Sequence, residues 1–208
     1  MLFHKTEIDF YKIILQSKKF KNWIDLTNTS LLKCQSKGLF LEFGVFQGRT
    51  ASYIMNFLLK NKVSNTLYGF DSFEGLPEDW VTKSNRVLKQ GHFKTLIPKL
   101  CDNIKLIKGY YQDTLPTFVK ENSNFVSFMH IDCDLYSSTK TIFDNFEEFI
   151  LEGTVILFDE IIGYDYFRQH EYKAFVEFLQ KTGKNALPIG FFGEKASFII
   201  KNKFETLL

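Results

Sequence analysis

Four carboxylates stand where chemistry is easiest to imagine: Asp132 and Asp134 in His130-Ile131-Asp132-Cys133-Asp134-Leu135-Tyr136, and Asp159 and Glu160 directly after Val155–Phe158. Both groups follow short apolar runs that read as buried strands, and neighbouring strands of one sheet would let the four carboxylates converge. Like charges at that distance raise one another's pKa unless a cation sits among them, so a divalent ion is the economical partner. The ligands on offer are hard oxygens, with no cysteine or histidine cluster at zinc spacing, which favours magnesium or calcium. Such an ion lowers the pKa of a substrate hydroxyl, and a carboxylate that does not ligate it can take the proton. Alternation along an extended strand end puts Asp132 and Asp134 on one side, one to ligate and one to face substrate. The structural alternatives are a cap on the next helix from Asp134 or Ser137, and a strand end at Asp159-Glu160 beside Lys or Arg. His130 reads as a packed strand-end histidine. Cys133, between two acids and without a base, makes a poor nucleophile.

A second chemistry is written into Leu39 to Thr50, Leu-Phe-Leu-Glu-Phe-Gly-Val-Phe-Gln-Gly-Arg-Thr. An apolar run leads into Gly44, and after Gly48 the residues Ala51, Ile54, Met55, Leu58 and Leu59 fall at helical spacing: buried strand, glycine turn, helix. Such a turn lets a ligand approach the backbone and aims a helix N-terminus at it, as nucleotide-like molecules are held above a parallel strand. Glu42 falls inside the buried run, where a carboxylate needs a cation, a ligand's donors, or a salt bridge to a neighbouring Lys or Arg. The next strand ends at Asp71, the position from which α/β folds hydrogen-bond ribose; the alternative is a turn capped through Ser72. Asp113 opens a helical stretch over residues 114–120, where N-capping is its simplest role.

The elements that must position these residues alternate. Residues 6–32 read as helical with a polar break at 17–21, and strands follow at 39–43, 66–70, 104–107, 125–129 and 155–158. Later helices carry Ile142, Phe143, Phe146, Phe149 and Ile150, then Tyr172, Phe175, Val176 and Leu179, each set on one face. The runs 186–192 and 196–200, joined at Gly193-Glu194, are too close for anything but an antiparallel pair. The expectation is an α/β fold, a doubly wound and mostly parallel sheet with one reversed strand and its ligand edge along the carboxyl ends. Residues 78–92, irregular and polar around Trp80, read as a mobile segment over the site. With the loop-like stretch 163–170 they are expected to choose the acceptor.

Length and composition bound the function. The 208 residues read as one domain, with 1–37 a helical lead-in. Lysine plus arginine (26) balance aspartate plus glutamate (24) to a net charge of +2 with no basic cluster, which argues for a small-molecule partner and against nucleic acid. Three cysteines, Cys34, Cys101 and Cys133, without paired spacing fit a reducing compartment. A charged start and the lack of a long apolar run argue against a signal peptide or a membrane partner, so a cytoplasmic protein is expected. The 24 phenylalanines fit a codon bias as well as a binding surface and carry no functional weight.

Five blocks, in order, resemble the macrocin O-methyltransferase family: Leu41-Glu42-Phe43-Gly44-Val45-Phe46-Gln47-Gly48-Arg49-Thr50; Gly69-Phe70-Asp71-Ser72-Phe73-Glu74-Gly75-Leu76-Pro77; Lys108-Gly109-Tyr110-Tyr111-Gln112-Asp113-Thr114-Leu115-Pro116; the His130 to Tyr136 block; and Phe158-Asp159-Glu160. The resemblance spans about residues 39–175 and implies a class I S-adenosylmethionine-dependent sugar O-methyltransferase, Rossmann-like, with seven strands of which the last is antiparallel. It implies that Glu42, Gly44 and Gly48 line the methionine part of the cofactor, Asp71 its ribose and Asp113 the adenine side. Val45, Thr50, Ser72, Gly109 and Asp132 complete the implied cofactor set. Asp132, Asp159 and Glu160 would hold magnesium or another hard divalent cation, and Asp134 would be the general base. For a chain short before its first strand, the implied acceptor is a sugar destined for a surface polysaccharide or linked to a nucleotide, with self-association allowed.

Two positions depart from the pattern. Phe46 stands where many methyltransferases outside the family carry a glycine, and Ile161 where the family often has an aromatic. Three rival readings share some of these residues. A nicotinamide-dependent oxidoreductase lacks its three-glycine fingerprint here and leaves the second acidic cluster unexplained. A non-catalytic binding module would have lost some of the acids. Methylation of nitrogen would gain little from a hard Lewis acid.

Overall fold

The computed structural model of the chain describes residues 7–82 and 86–202. In chain order the elements are α1 (Glu7–Gln16), α2 (Trp23–Leu32), β1 (Leu39–Phe43), α3 (Arg49–Lys60), β2 (Leu67–Asp71), β3 (Trp80–Val81), β4 (Val87–Leu88), β5 (Ile104–Lys108), α4 (Tyr111–Glu121), β6 (Val126–Ile131), α5 (Tyr136–Phe146), β7 (Val155–Phe158), α6 (Glu171–Thr182), β8 (Asn185–Phe192) and β9 (Lys195–Lys201). The helical lead-in thus forms as two helices, with residues 1–6 outside the described residues. Its polar break docks along the sheet: the Phe20 amide donates to the Phe191 carbonyl at 2.8 Å, and the Phe191 amide to the Lys18 carbonyl at 2.9 Å.

Seven strands make one sheet in the order β5-β2-β1-β6-β7-β9-β8. Every pairing is parallel except those of β9, which runs antiparallel to both β7 and β8. The two-residue join Gly193-Glu194 permits only a hairpin, so the last strand folds back between its predecessor and β7. From β1 the chain winds outward through β2 to β5, then returns to the other side of β1 for β6 and β7. The direction therefore reverses between β1 and β6, the place where open α/β sheets bind ligands beyond their carboxyl ends.

Period-two alternation sorts the strand residues between two cores. Leu39, Leu41 and Phe43 of β1 pack with α1, α5 and α6, while Phe40 packs with Leu26 and Leu31 of α2 and Ala51, Ile54, Met55 and Leu58 of α3. The phenylalanines are largely this core. Phe43 stacks on Phe70 with centroids 5.1 Å apart, Phe143 on Phe178 at 4.6 Å, and each such ring adds roughly 1.5–3 kcal/mol by leaving water. Central β1 is covered on both faces and all five of its residues are buried, Glu42 included.

Two expectations are corrected here. The segment 78–92 is not wholly irregular and does belong to the core at Trp80: Trp80–Val81 pairs antiparallel with Val87–Leu88, and Trp80 is buried because its indole has apolar partners in reach; residues 83–85 lie outside the described residues. Helix α4 begins at Tyr111, earlier than expected, so Asp113 sits exposed in its first turn instead of capping it. There its negative charge faces the positive end of the helix.

Candidate active site

A cavity of about 510 Å³ opens over the carboxyl ends of β1, β2, β5, β6 and β7. On its glycine side the backbone of β1 meets that of β6. The Asp132 amide donates to the Phe43 carbonyl at 2.9 Å, and a Cβ on Gly44, whose φ is +89°, would lie 1.7 Å from the Asp132 carbonyl oxygen. Only glycine fits that approach. Asp71 locks the turn that follows. Its Oδ2 accepts from the Val45 and Phe46 amides at 2.9 and 2.8 Å, and its Oδ1 from the Phe73 amide at 2.7 Å. A carboxylate has about four acceptor sites, so Asp71 lines the cavity with most of its capacity already used. The turn is capped by Asp71 itself, with the Ser72 hydroxyl accepting from the Glu74 amide at 3.1 Å. Phe46, at φ +50°, is exposed and meets Phe93 edge to face at the cavity rim.

The acidic side is built across β1, β6 and β7. Glu42 and His130 are register partners on adjacent strands, and Glu42 Oε1 lies 3.1 Å from His130 Nδ1. The partner that buried Glu42 requires is thus the imidazole of the next strand, not a Lys or Arg. His130 Nε2 faces Asp159 Oδ1 at 3.9 Å, and Lys195 of β9 donates to that same Asp159 oxygen. Burial disfavours the charged imidazole, but Asp159 and Glu42 outweigh it and push His130 up to about 10. Burial likewise opposes ionisation of Asp159, and His130 and Lys195 overcome it, bringing Asp159 down to about 2. One ligand atom from each of His130, Asp132 and Asp159 lies within 4.8 Å of the others, so the histidine belongs to the cluster from which sequence reasoning left it out.

Glu160 turns instead toward Asp134. Burial, reinforced by a hydrogen bond with Glu160, raises Asp134 well above the usual carboxylate range, and burial raises Glu160 despite that bond. Neither Asp134 nor Ser137 caps α5: its N-cap is Leu135, and the Ser137 hydroxyl donates to Glu78 at 2.5 Å. Asp134 itself is in the left-handed region at φ +65°. Its amide and that of Cys133 both donate to Oε1 of Glu171, each at 3.2 Å. Glu171 is fully buried, and its Oε2, like Glu42 Oε2 and Glu160 Oε2, has no hydrogen-bond partner among the described residues.

Of the residues singled out from sequence, Gly44, Asp71, Ser72, Gly109, Asp132, Asp134, Asp159 and Glu160 line the cavity. Glu42, Val45, Gly48, Thr50 and Asp113 are not among its lining residues. Val45 packs into the α3 core, Gly48 caps α3 at φ +77°, Thr50 lies within α3, and Glu42 is shut beneath the floor with His130. Glu171 and Lys195 were missed. An acid in a helix's first turn and a lysine after a hairpin both read as solvated residues, and no local spacing distinguishes these two. The donors fit a hard cation, because Asp132 and Asp159 converge and a buried Glu160 oxygen is left over.

No curated protein matches the chain. Among solved structures it is similar to CalS11, a calicheamicin methyltransferase, at 18% identity and a TM-score of 0.65, covering 93% of this chain and 80% of that one. It is also similar to the O-methyltransferase NovP, at 18% identity and a TM-score of 0.65 over 85% of this chain and 78% of that one. A third, cofactor-bound Rv0187 from MTB, aligns at 16% identity and a TM-score of 0.52 over 88% and 82%. At these identities the likeness establishes the shared fold. The model of a methyltransferase domain matches residues 41–161, more than half of the chain and the span from β1 to just past β7, and the protein belongs to that methyltransferase family.

Proposed function

We propose that the protein transfers the methyl group of S-adenosylmethionine to a hydroxyl of a sugar, as the macrocin O-methyltransferases do. The observation that carries this reading is one cavity walled on one side by the glycine turn at Gly44 and on the other by Asp132, Asp134, Asp159 and Glu160. The methyl donor supplies a sulfonium carbon that is already a strong electrophile, so the protein's task is alignment and removal of a proton. The turn from Gly44 to Phe46 would receive the amino-acid end of the donor, with Ser72 and Gly109 beside its nucleoside. Asp132 and Asp159 would hold a divalent cation next to His130, with the unpartnered Glu160 oxygen available as a further donor; when bound, such an ion supplies Lewis acidity that lowers the pKa of a hydroxyl. Burial keeps the Asp134 carboxyl protonated; with a cation beside it, that carboxyl would ionise and be free to accept a proton. Asp134 would take the hydroxyl proton as the oxygen bonds to the methyl carbon and the bond from carbon to sulfur breaks.

The lining also bears on the acceptor. Among the described residues it contains six carboxylates, with Asp71 and Glu78 added to the four above, and no Lys or Arg. Without a cationic side chain in the lining a phosphate would find no direct partner there, so the enclosed part of the acceptor would be a neutral polyol and any phosphate it carries would stay outside. CalS11 is described as a TDP-rhamnose 3'-O-methyltransferase, which supports a sugar acceptor here. The test is titration of the full chain and of Asp71→Ala with S-adenosylhomocysteine, with and without magnesium, by calorimetry. The wild-type chain is expected to bind, and Asp71→Ala to bind at least tenfold more weakly because the turn loses its clamp. No binding in either condition overturns the proposal.

A further inference from the structure

We infer that Glu171 is a positioning residue that holds the Cys133–Asp134 backbone in place, and through it aims the Asp134 carboxylate into the cavity. The inference rests on the reading of Asp134 as the base. Asp134 is a non-glycine residue at φ +65°, a conformation that persists only where the surroundings enforce it. What enforces it is visible on one side of the chain. The consecutive amides of Cys133 and Asp134 converge on one oxygen of Glu171 at 3.2 Å each, and the Cys133 thiol faces the same oxygen at 3.8 Å. On the other side the Asp134 side chain meets Glu160.

Glu171 comes from the first turn of α6, well downstream, and is fully buried. Burying a carboxyl there is costly, and two amides alone would be as well served by a water molecule or a serine hydroxyl. Placed where it is, the rigid planar group fixes both amides at once. Truncation would orphan two buried donors and let Asp134 relax to a negative φ, swinging its carboxylate away from Glu160. A carboxylate that merely anchored α6 would affect global stability and leave the Asp134 turn as it is.

The experiment compares the full-length wild type with Glu171→Gln and Glu171→Ala. Glutamine keeps the accepting oxygen and the shape, while alanine removes both. Amide hydrogen exchange is followed residue by residue, and Mn²⁺ and S-adenosylhomocysteine are titrated by calorimetry. In Glu171→Ala the Cys133 and Asp134 amides are expected to exchange at least tenfold faster while β1 and β2 keep wild-type protection, and Mn²⁺ affinity to fall about tenfold with Asp132 displaced. In Glu171→Gln both are expected to stay within about threefold of wild type. Wild-type exchange in Glu171→Ala overturns the inference, and so does a Glu171→Gln protein as impaired as the alanine variant. Should the alanine variant fail to fold, exchange in Glu171→Gln decides alone, protection supporting the claim and a tenfold loss sinking it. If the wild type binds neither Mn²⁺ nor S-adenosylhomocysteine, the proposed function falls, while the exchange data still judge the role of Glu171.

Discussion

The two walls of the cavity are built on opposite terms. On the glycine wall, Asp71 accepts three backbone amides, the Gly44 amide donates to Phe70 at 3.0 Å, and the Gly109 amide donates to Asp71's carbonyl at 3.0 Å. Its polar groups satisfy one another. On the acidic wall, Glu42, Glu160 and Glu171 each keep an oxygen without a partner among the described residues, Asp134 is in a left-handed conformation, and balance depends on charges brought from His130 and Lys195. A fully satisfied network is rigid and contributes to stability, whereas an unsatisfied one costs stability and responds to whatever charge arrives. The molecule thus carries a self-satisfied cradle beside a wall that gives up stability to crowd its acids together.

Breaking the cradle should have the largest effect. Gly44→Ala forces a Cβ into the Asp132 carbonyl at a φ that alanine resists, and is expected to cost about 4 kcal/mol or more in urea unfolding, enough to abolish cofactor binding. A loss no greater than that of an ordinary surface substitution would mean the two strand ends do not meet as described. On the acidic wall the sign should reverse. Asp134→Asn is expected to lower turnover about 10²–10⁴-fold while the urea midpoint holds or rises, because one of two crowded carboxyls has been neutralised. Near-normal turnover would remove Asp134 from the mechanism.

The pH profile of stability separates the walls further. Asp132, Asp134 and Glu160 have folded-state pKa values raised by burial, so the folded chain holds protons that the unfolded chain releases. Their contribution is full below the ordinary carboxylate range and lost as pH rises through the raised values. His130 acts in the same sense, stabilising below about 6.5 and losing that contribution as pH rises toward about 10. Asp159 is opposite: its contribution is present above its ordinary value near 3.8 and lost as pH falls toward about 2. Urea midpoints measured without divalent ions should therefore rise from pH 8 to pH 5 and decline below about pH 4; a flat profile would show that the acidic wall is not under charge stress. The smallest effect is expected at Lys195. Its ammonium holds Asp159 and repels an incoming cation, so Lys195→Gln should tighten Mn²⁺ about tenfold in calorimetry. Weaker binding in that variant would mean that Lys195 orients Asp159 instead.

Much of this was readable in the chain before folding. The strand, glycine turn and helix at Leu39 to Thr50, the short hairpin join and the acids at strand ends are local patterns, each set by periodicity or by the reach of a few residues. Boundaries moved where local signals compete: α4 starts at Tyr111 because a helix needs no side-chain cap to begin, and β6 runs on to Ile131 because His130 finds a buried partner. The polar appearance of residues 78–92 hid the burial of Trp80, since the rings that receive it, Tyr164 and His170, lie far along the chain.

The sequence by itself determined the fold class, the edge of the sheet where ligands bind, and the acids gathered on that edge, because these follow from alternation and spacing within single elements. Only the tertiary structure decided how those acids are paired: His130 under Glu42, Lys195 on Asp159, Glu160 against Asp134, and Glu171 behind them all. A pairing between residues from different strands and helices depends on register and crossover, and on which charges can share a buried volume. No local pattern records that.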